Sequence, residues 1–117
     1  MIITGFIINN TEKTLTLNSI KSEAAQLSFE YLRVFTPTTG KKQQALVSHK
    51  KSITLTAIEN VGKHGYRFAF DDGHSAIYSS DYLELLINEQ DQRWQHYLDE
   101  LKASGHSREV MINITQL

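Results

Sequence analysis

A spacing of 51 residues constrains this chain more than any motif in it. At that offset, without gaps, Ile2 falls on Ile53, Asn9 on Asn60, Ala25 on Ala76 and Ser28 on Ser79. Tyr31-Leu32 then falls on Tyr82-Leu83, with Glu30 opposite Asp81. The apolar alternation agrees as well, Leu15 and Leu17 standing opposite Tyr66 and Phe68. Alternation of period two marks half-buried strands. Each copy, 2–33 and 53–84, therefore reads as three strands separated by polar turns and closed by a short helical turn carrying Tyr-Leu. These identities support a structural repeat and carry no claim of duplication.

Local signals place the elements. Ile2–Ile8 and Thr14–Leu17 flank a polar turn at Asn9–Lys13, and Ser52–Ile58 and Tyr66–Phe70 flank Glu59–Gly65. Gly62 and Gly65 permit positive φ there. Asp71-Asp72-Gly73 predicts a tight hairpin, because Asp and Gly tolerate left-handed backbone, with Ala76–Tyr78 as the returning strand. Ser79 or Ser80 is expected to cap a helical turn over Asp81–Leu86. Trp94, Leu98 and Leu101, with Tyr97 alongside, form one apolar stripe on a helix predicted over Glu89–Ala103. Gly105 ends that helix. Residues 36–51 lack periodicity, hold the lone Pro37 and read as a long loop. The tail, 106–117, contains Glu109–Ile114, which reads as a last strand or an arm that pairs elsewhere. The fold class is α+β: one domain of 117 residues, a small antiparallel β-meander built from two quasi-repeats plus a C-terminal amphipathic helix.

A hydrophobic fraction of 40% and a charged fraction of 21% are those of a soluble globular chain. No apolar run approaches a membrane span, and MIITGFIINN has no positive region ahead of its apolar stretch, so neither a membrane partner nor a signal peptide is expected. There is no cysteine, which excludes disulfides, thiolate metal sites and cysteine nucleophiles, and fits a reducing, cytoplasmic setting. Net charge is −1 but uneven: residues 1–58 hold seven Lys/Arg against three acids, and 59–117 five against ten. Lys41, Lys42, Lys50 and Lys51 supply much of the positive excess. No aromatics interleave them, so they read as a solvated loop before a nucleic-acid surface.

The five histidines, at 49, 64, 74, 96 and 106, show no His-x-Asp, His-x-His or His-Glu-x-x-His spacing. Phosphate-loop, dinucleotide and nucleophile-elbow glycine patterns are absent too. What remains is the cluster Asp71, Asp72 and His74, with Tyr78 nearby. Carboxylates beside a histidine could orient it as a ligand or base. The structural reading stands first: acids capping backbone amides in a hairpin, and His74 opening the next strand bonded to a neighbour. A ligand or binding role stands second and catalysis last.

Three blocks, Ile58-Glu59-Asn60-Val61-Gly62, Phe70-Asp71-Asp72-Gly73-His74 and Ile77-Tyr78-Ser79-Ser80-Asp81-Tyr82-Leu83, resemble the gamma-butyrobetaine hydroxylase-like N-terminal domain. Tyr31-Leu32-Arg33 followed by Pro37, and the Trp94-Gln95-x-Tyr97-Leu98 helix with Ser107-Arg108, fit standalone bacterial members of that family. The resemblance implies relatives in which the domain precedes a 2-oxoglutarate oxygenase domain or is fused to an iron–sulfur-carrier ATPase. It also implies, in the eukaryotic hydroxylases, a structural zinc held by three cysteines and one histidine. Those cysteines would fall on Thr36, Thr38 and Lys41, leaving His74 as the only retained ligand position. One imidazole cannot hold structural zinc, so no metal or other cofactor is expected, with Thr36-Pro37-Thr38 closing the loop through hydroxyl-to-backbone bonds instead. Ser80 and Ser75-Ala76 also depart from the Trp and Thr-Gly usual in the family motif.

Taken together, the expected function is that of a non-enzymatic module with a protein partner. Candidate contact residues are Asp71, Asp72, His74, Tyr78, Arg33, Lys41 and Lys42. The alternative is a small-ligand or metal-binding module centred on His74, with His64 and the two aspartates. A nucleic-acid partner is not expected.

Overall fold

The structure is a computed structural model that describes residues 2–20, 22–37, 50–105 and 108. Two three-stranded antiparallel sheets form. The first contains β1 (Ile3–Asn9), β2 (Thr14–Ser19) and β3 (Ser22–Ser28), in that spatial order. The second contains β4 (Leu55–Asn60), β5 (Tyr66–Phe70) and β6 (Ser75–Tyr78). A short helix follows each: α1 (Phe29–Val34) after the first sheet and α2 (Ser80–Asn88) after the second. α3 (Gln90–Ser104) continues from α2. Among the described residues, no strand ladder joins the two sheets. No described helix is long and apolar enough to cross a membrane.

The 51-residue spacing becomes geometry here. In the first sheet Leu15 pairs with Leu27 and Leu17 with Ala25; in the second Tyr66 pairs with Tyr78 and Phe68 with Ala76. Ser28 and Ser79 occupy equivalent N-caps, each side-chain oxygen accepting the backbone N–H three residues on, from Tyr31 and Tyr82. The first strands need a correction. Phe6 pairs with Leu17, while Ile58, not Ala57, pairs with Phe68. The offset between β1 and β4 is therefore 52, because the stretch between equivalent pairs, Ile58 to Phe68 against Phe6 to Leu17, is one residue shorter in the second sheet. Even the irregularities obey it: the bulge between Ile3 and Gly5 recurs between Leu55 and Ala57. Period-two side chains would all change face on a one-residue slip, and the changed offset keeps Phe6 and Ile58 both packed on the core.

That core is shared by the two halves. Leu15, Leu17, Leu27, Phe29, Tyr31 and Leu32 from the first meet Ile53, Leu55, Phe68, Phe70, Tyr78, Leu83 and Leu86 from the second. Phe6 bridges them, its ring 4.9 Å from Tyr66 and 5.9 Å from Phe68. α3 closes a smaller cluster in which Tyr97 and Leu101 pack with Val34 of α1, flanked by Trp94 and Leu98. The apolar stripe read from the sequence thus serves packing, with Tyr97 its most buried member. Gly105 ends α3 in the left-handed conformation, φ 74°, its N–H donating to Leu101 O and Lys102 O.

β4 starts three residues later than Ser52, since Lys51 and Ser52 sit in a turn that delivers Ile53 to the core. β1 is the outer strand of its sheet and carries no charge from Ile3 to Asn9. Beside it lies an open groove of about 450 Å³ lined by Ile3, Phe6, Ile8, Ile58 and Tyr66.

Candidate functional site

The DDGH turn joins β5 to β6 and is built by short-range chemistry. Gly73 adopts φ 86°, which a β-carbon disfavours. Gly73 N–H donates to Phe70 O at 3.2 Å and Phe70 N–H to His74 O at 2.9 Å, closing the hairpin. Asp71 Oδ1 accepts the backbone N–H of Thr54 at 3.1 Å, tying the turn to the start of β4. Asp72 Oδ1 accepts the backbone N–H of His74 at 3.1 Å. Both acids therefore cap amides, as the turn chemistry predicts.

The other Asp72 oxygen collects charge from distant parts of the chain. Oδ2 accepts from Arg33 Nε at 2.9 Å and from Lys50 Nζ at 2.8 Å. Arg33 comes from the last turn of α1, and Lys50 stands just before the approach to β4. Partial burial works against ionisation of Asp72, but the Lys50 ammonium, the His74 N–H and Arg33 outweigh it and hold the carboxyl well below the usual carboxylate range.

His74 turns its ring toward the end of α1. Nε2 lies 2.8 Å from the buried Thr36 hydroxyl, a hydrogen bond whose direction follows the tautomer. Its ring also lies 6.2 Å from that of Phe70. Burial, and then the nearby Arg33 charge, lower the His74 pKa from 6.5, against the pull of Asp72. Thr36 thus bonds to a side chain, where a backbone partner was expected. The hydroxyl and the imidazole are those that the family resemblance aligns with a cysteine and the histidine of the hydroxylase zinc site. This donor set does not fit zinc: the chain has no thiolate, and no group of three His, Cys, Asp or Glu among the described residues could hold a metal ion.

The remaining candidates separate. Tyr78 is fully buried, its hydroxyl donating to Leu32 O, so it supports the site from beneath and takes no part in its surface. His64 is exposed in the 3-10 turn Gly62–His64, before β5, whereas His74 follows that strand; the strand's length separates them. Lys41, Lys42, Thr38 and the tail segment Glu109–Ile114 lie outside the described residues. Sequence reasoning missed Lys50 as a site residue, together with Lys13, whose Nζ donates to Thr54 Oγ1 at 2.7 Å beside Asp71.

Above the site, tyrosines secure the helix ends. Tyr82 OH donates to Phe35 O at 2.8 Å, and Tyr31 OH donates to Leu86 O at 2.7 Å. Donor and acceptor are both related by 51 residues, so the two bonds are exchanged by the repeat. These are orphan carbonyls at helix C-termini, which need a partner.

Comparison with known proteins settles the family. The family described as gamma-butyrobetaine hydroxylase-like, N-terminal, matches residues 7–84. The chain belongs to this family. Two proteins known from NMR solution structures are each 32% identical to it. One aligns over 99% of this chain and 96% of its own at a TM-score of 0.84, the other over 99% and 91% at 0.82. A crystal structure of a protein with unknown function, from the DUF971 family of Acidithiobacillus ferrooxidans ATCC 23270, aligns over 72% of this chain and 90% of its own. Its TM-score of 0.62 at 22% identity shows a shared fold. Among curated proteins, none matches the chain. As a gamma-butyrobetaine hydroxylase-like N-terminal domain, the chain has a family and a fold but inherits no defined activity from these matches.

Proposed function

We propose that this gamma-butyrobetaine hydroxylase-like domain is a non-enzymatic binding module that docks a protein partner through the Asp72–His74 turn, Arg33 and Lys50. One observation carries the reading: Asp72 draws Arg33 and Lys50, from two separate segments, onto an exposed hairpin tip. Charged groups fixed in place on a loop lose little freedom on binding, which favours recognition. The chemistry of the Thr36–His74 pair argues for binding over catalysis. Asp72 bonds the backbone N–H of His74, not its ring, so this carboxylate does not orient the imidazole as a base. The hydroxyl it meets belongs to a buried threonine.

The test is co-purification from the native host with wild-type chain and with the double variant Arg33→Gln, Lys50→Gln. A partner retained by the wild type and lost by the variant, whose folded spectrum persists, supports the proposal. Equal retention by both proteins refutes this docking surface.

A further inference from the structure

We infer that the chain is an intramolecular dimer, and that its half-to-half interface also pairs in trans, so that two copies can exchange halves. Four observations carry this, none of them involving the Asp72 site.

First, one pair of hydrogen bonds between the halves is reciprocal in the manner of a two-fold interface. In such an interface, if residue i of one unit touches j of the other, then j of the first touches i of the second. Tyr31 donates to Leu86 O and Tyr82 donates to Phe35 O. Adding 51 to 31 gives 82, and adding 51 to 35 gives 86. Second, among the described residues each half pairs its strands only internally, in the orders β1-β2-β3 and β4-β5-β6. Exchange would therefore break no strand ladder. Third, the halves share one apolar core, with Leu15, Leu17 and Leu27 on one side and Phe68, Tyr78 and Leu86 on the other, all at most 1% exposed. Neither half can bury that face alone. Fourth, a single connection, residues 38–49, runs between the described parts of the two halves.

The same contacts that close one molecule would then close two lobes across a pair of molecules. α3 travels with the second half and straps onto Val34 and Phe35 of whichever first half it meets. The choice between closed monomer and exchanged dimer falls to chain concentration and the effective concentration set by the connection.

The equivalent core positions Leu17 and Phe68 provide the test. Full-length Leu17→Asp damages only the first half, and full-length Phe68→Asp only the second. Each is denatured and refolded alone, and the two are then co-refolded at equal concentration. Exchange gives each crossed pair one sound lobe, so about half of the native near-ultraviolet dichroism returns, in a discrete species containing both chains. No recovery in the crossed pair overturns the inference. So does equal recovery from Leu17→Asp with Leu27→Asp, where both lesions lie in the same half. Should a single variant fold unaided, tagged and untagged wild-type chains are co-refolded at high concentration instead. A discrete dimer containing both supports exchange, and monomer throughout overturns it.

Discussion

Asp72 and His74 give the turn an acid sensitivity with two separate onsets. The folded pKa of His74 lies below its ordinary 6.5, so the unfolded chain binds that proton more readily. Its contribution is present above pH 6.5 and falls away as pH drops below it. Asp72 is depressed as well, so its contribution persists to the carboxylate range, below about pH 4, before it declines. Urea unfolding across pH should show both limbs, with His74→Asn flattening the first and Asp72→Asn the second. At neutral pH, Asp72→Asn should cost about 1–2 kcal/mol, since two ion pairs weaken but the site is partly hydrated. The sequence made the turn legible because Asp-Asp-Gly is a local code. Arg33, 39 residues from Asp72, was among the candidates, but Lys50, 22 residues away, was not, because no local rule selects it from the other cations.

At the level of elements, the paired tyrosines set a quantitative expectation. Tyr31→Phe and Tyr82→Phe each strand a carbonyl at a helix end, costing about 1–2 kcal/mol, with the larger loss at Tyr31, which is 1% exposed. Thermal melts of both variants check the ranking. Burial also pushes the Tyr31 hydroxyl up to about 12, so it should stay protonated in an alkaline titration until the fold gives way. Among the described glycines, Gly65 is the least replaceable. At φ 120° an added Cβ would collide with the carbonyl oxygen of Tyr78 and come within 2.8 Å of Ser79 Cα. Gly65→Ala should therefore cost at least about 2 kcal/mol in denaturant titration, because both the backbone and its neighbour must shift. Strands β2 and β5 were readable from alternation alone. The start of β4 was not, because Lys51 and Ser52 are taken up by a turn that delivers Ile53 to the core, which alternation does not reveal.

For the molecule as a whole, the decisive long-range tie is Arg108 to Glu30. The guanidinium donates to both Glu30 carboxylate oxygens, at 2.9 Å from Nε to Oε2 and from Nη2 to Oε1, and lies 5.1 Å from the Trp94 ring centroid. Glu30 is 5% exposed, so Arg108→Ala would leave a buried carboxylate without its main cation. Such a loss costs about 3–5 kcal/mol, measurable by chemical denaturation, and adding Glu30→Gln should recover part of it. Nothing in the sequence links positions 30 and 108, because the pairing exists only after α3 has crossed the first half. The repeat, the class of fold and the family were legible, whereas this closure was not.

The bare outer edge of β1 has a consequence for handling. Edge strands are ordinarily guarded by lysines or prolines, and Ile3–Asn9 has neither, its bulge lying at the Ile3–Gly5 end and Ile7 beyond it standing 57% exposed. A short, uncharged, β-branched segment is the sort that stacks into cross-β fibrils. Concentrated solutions of this protein should lose material to thioflavin-positive fibrils nucleated by that strand, and Ile7→Lys should lengthen the lag before they form.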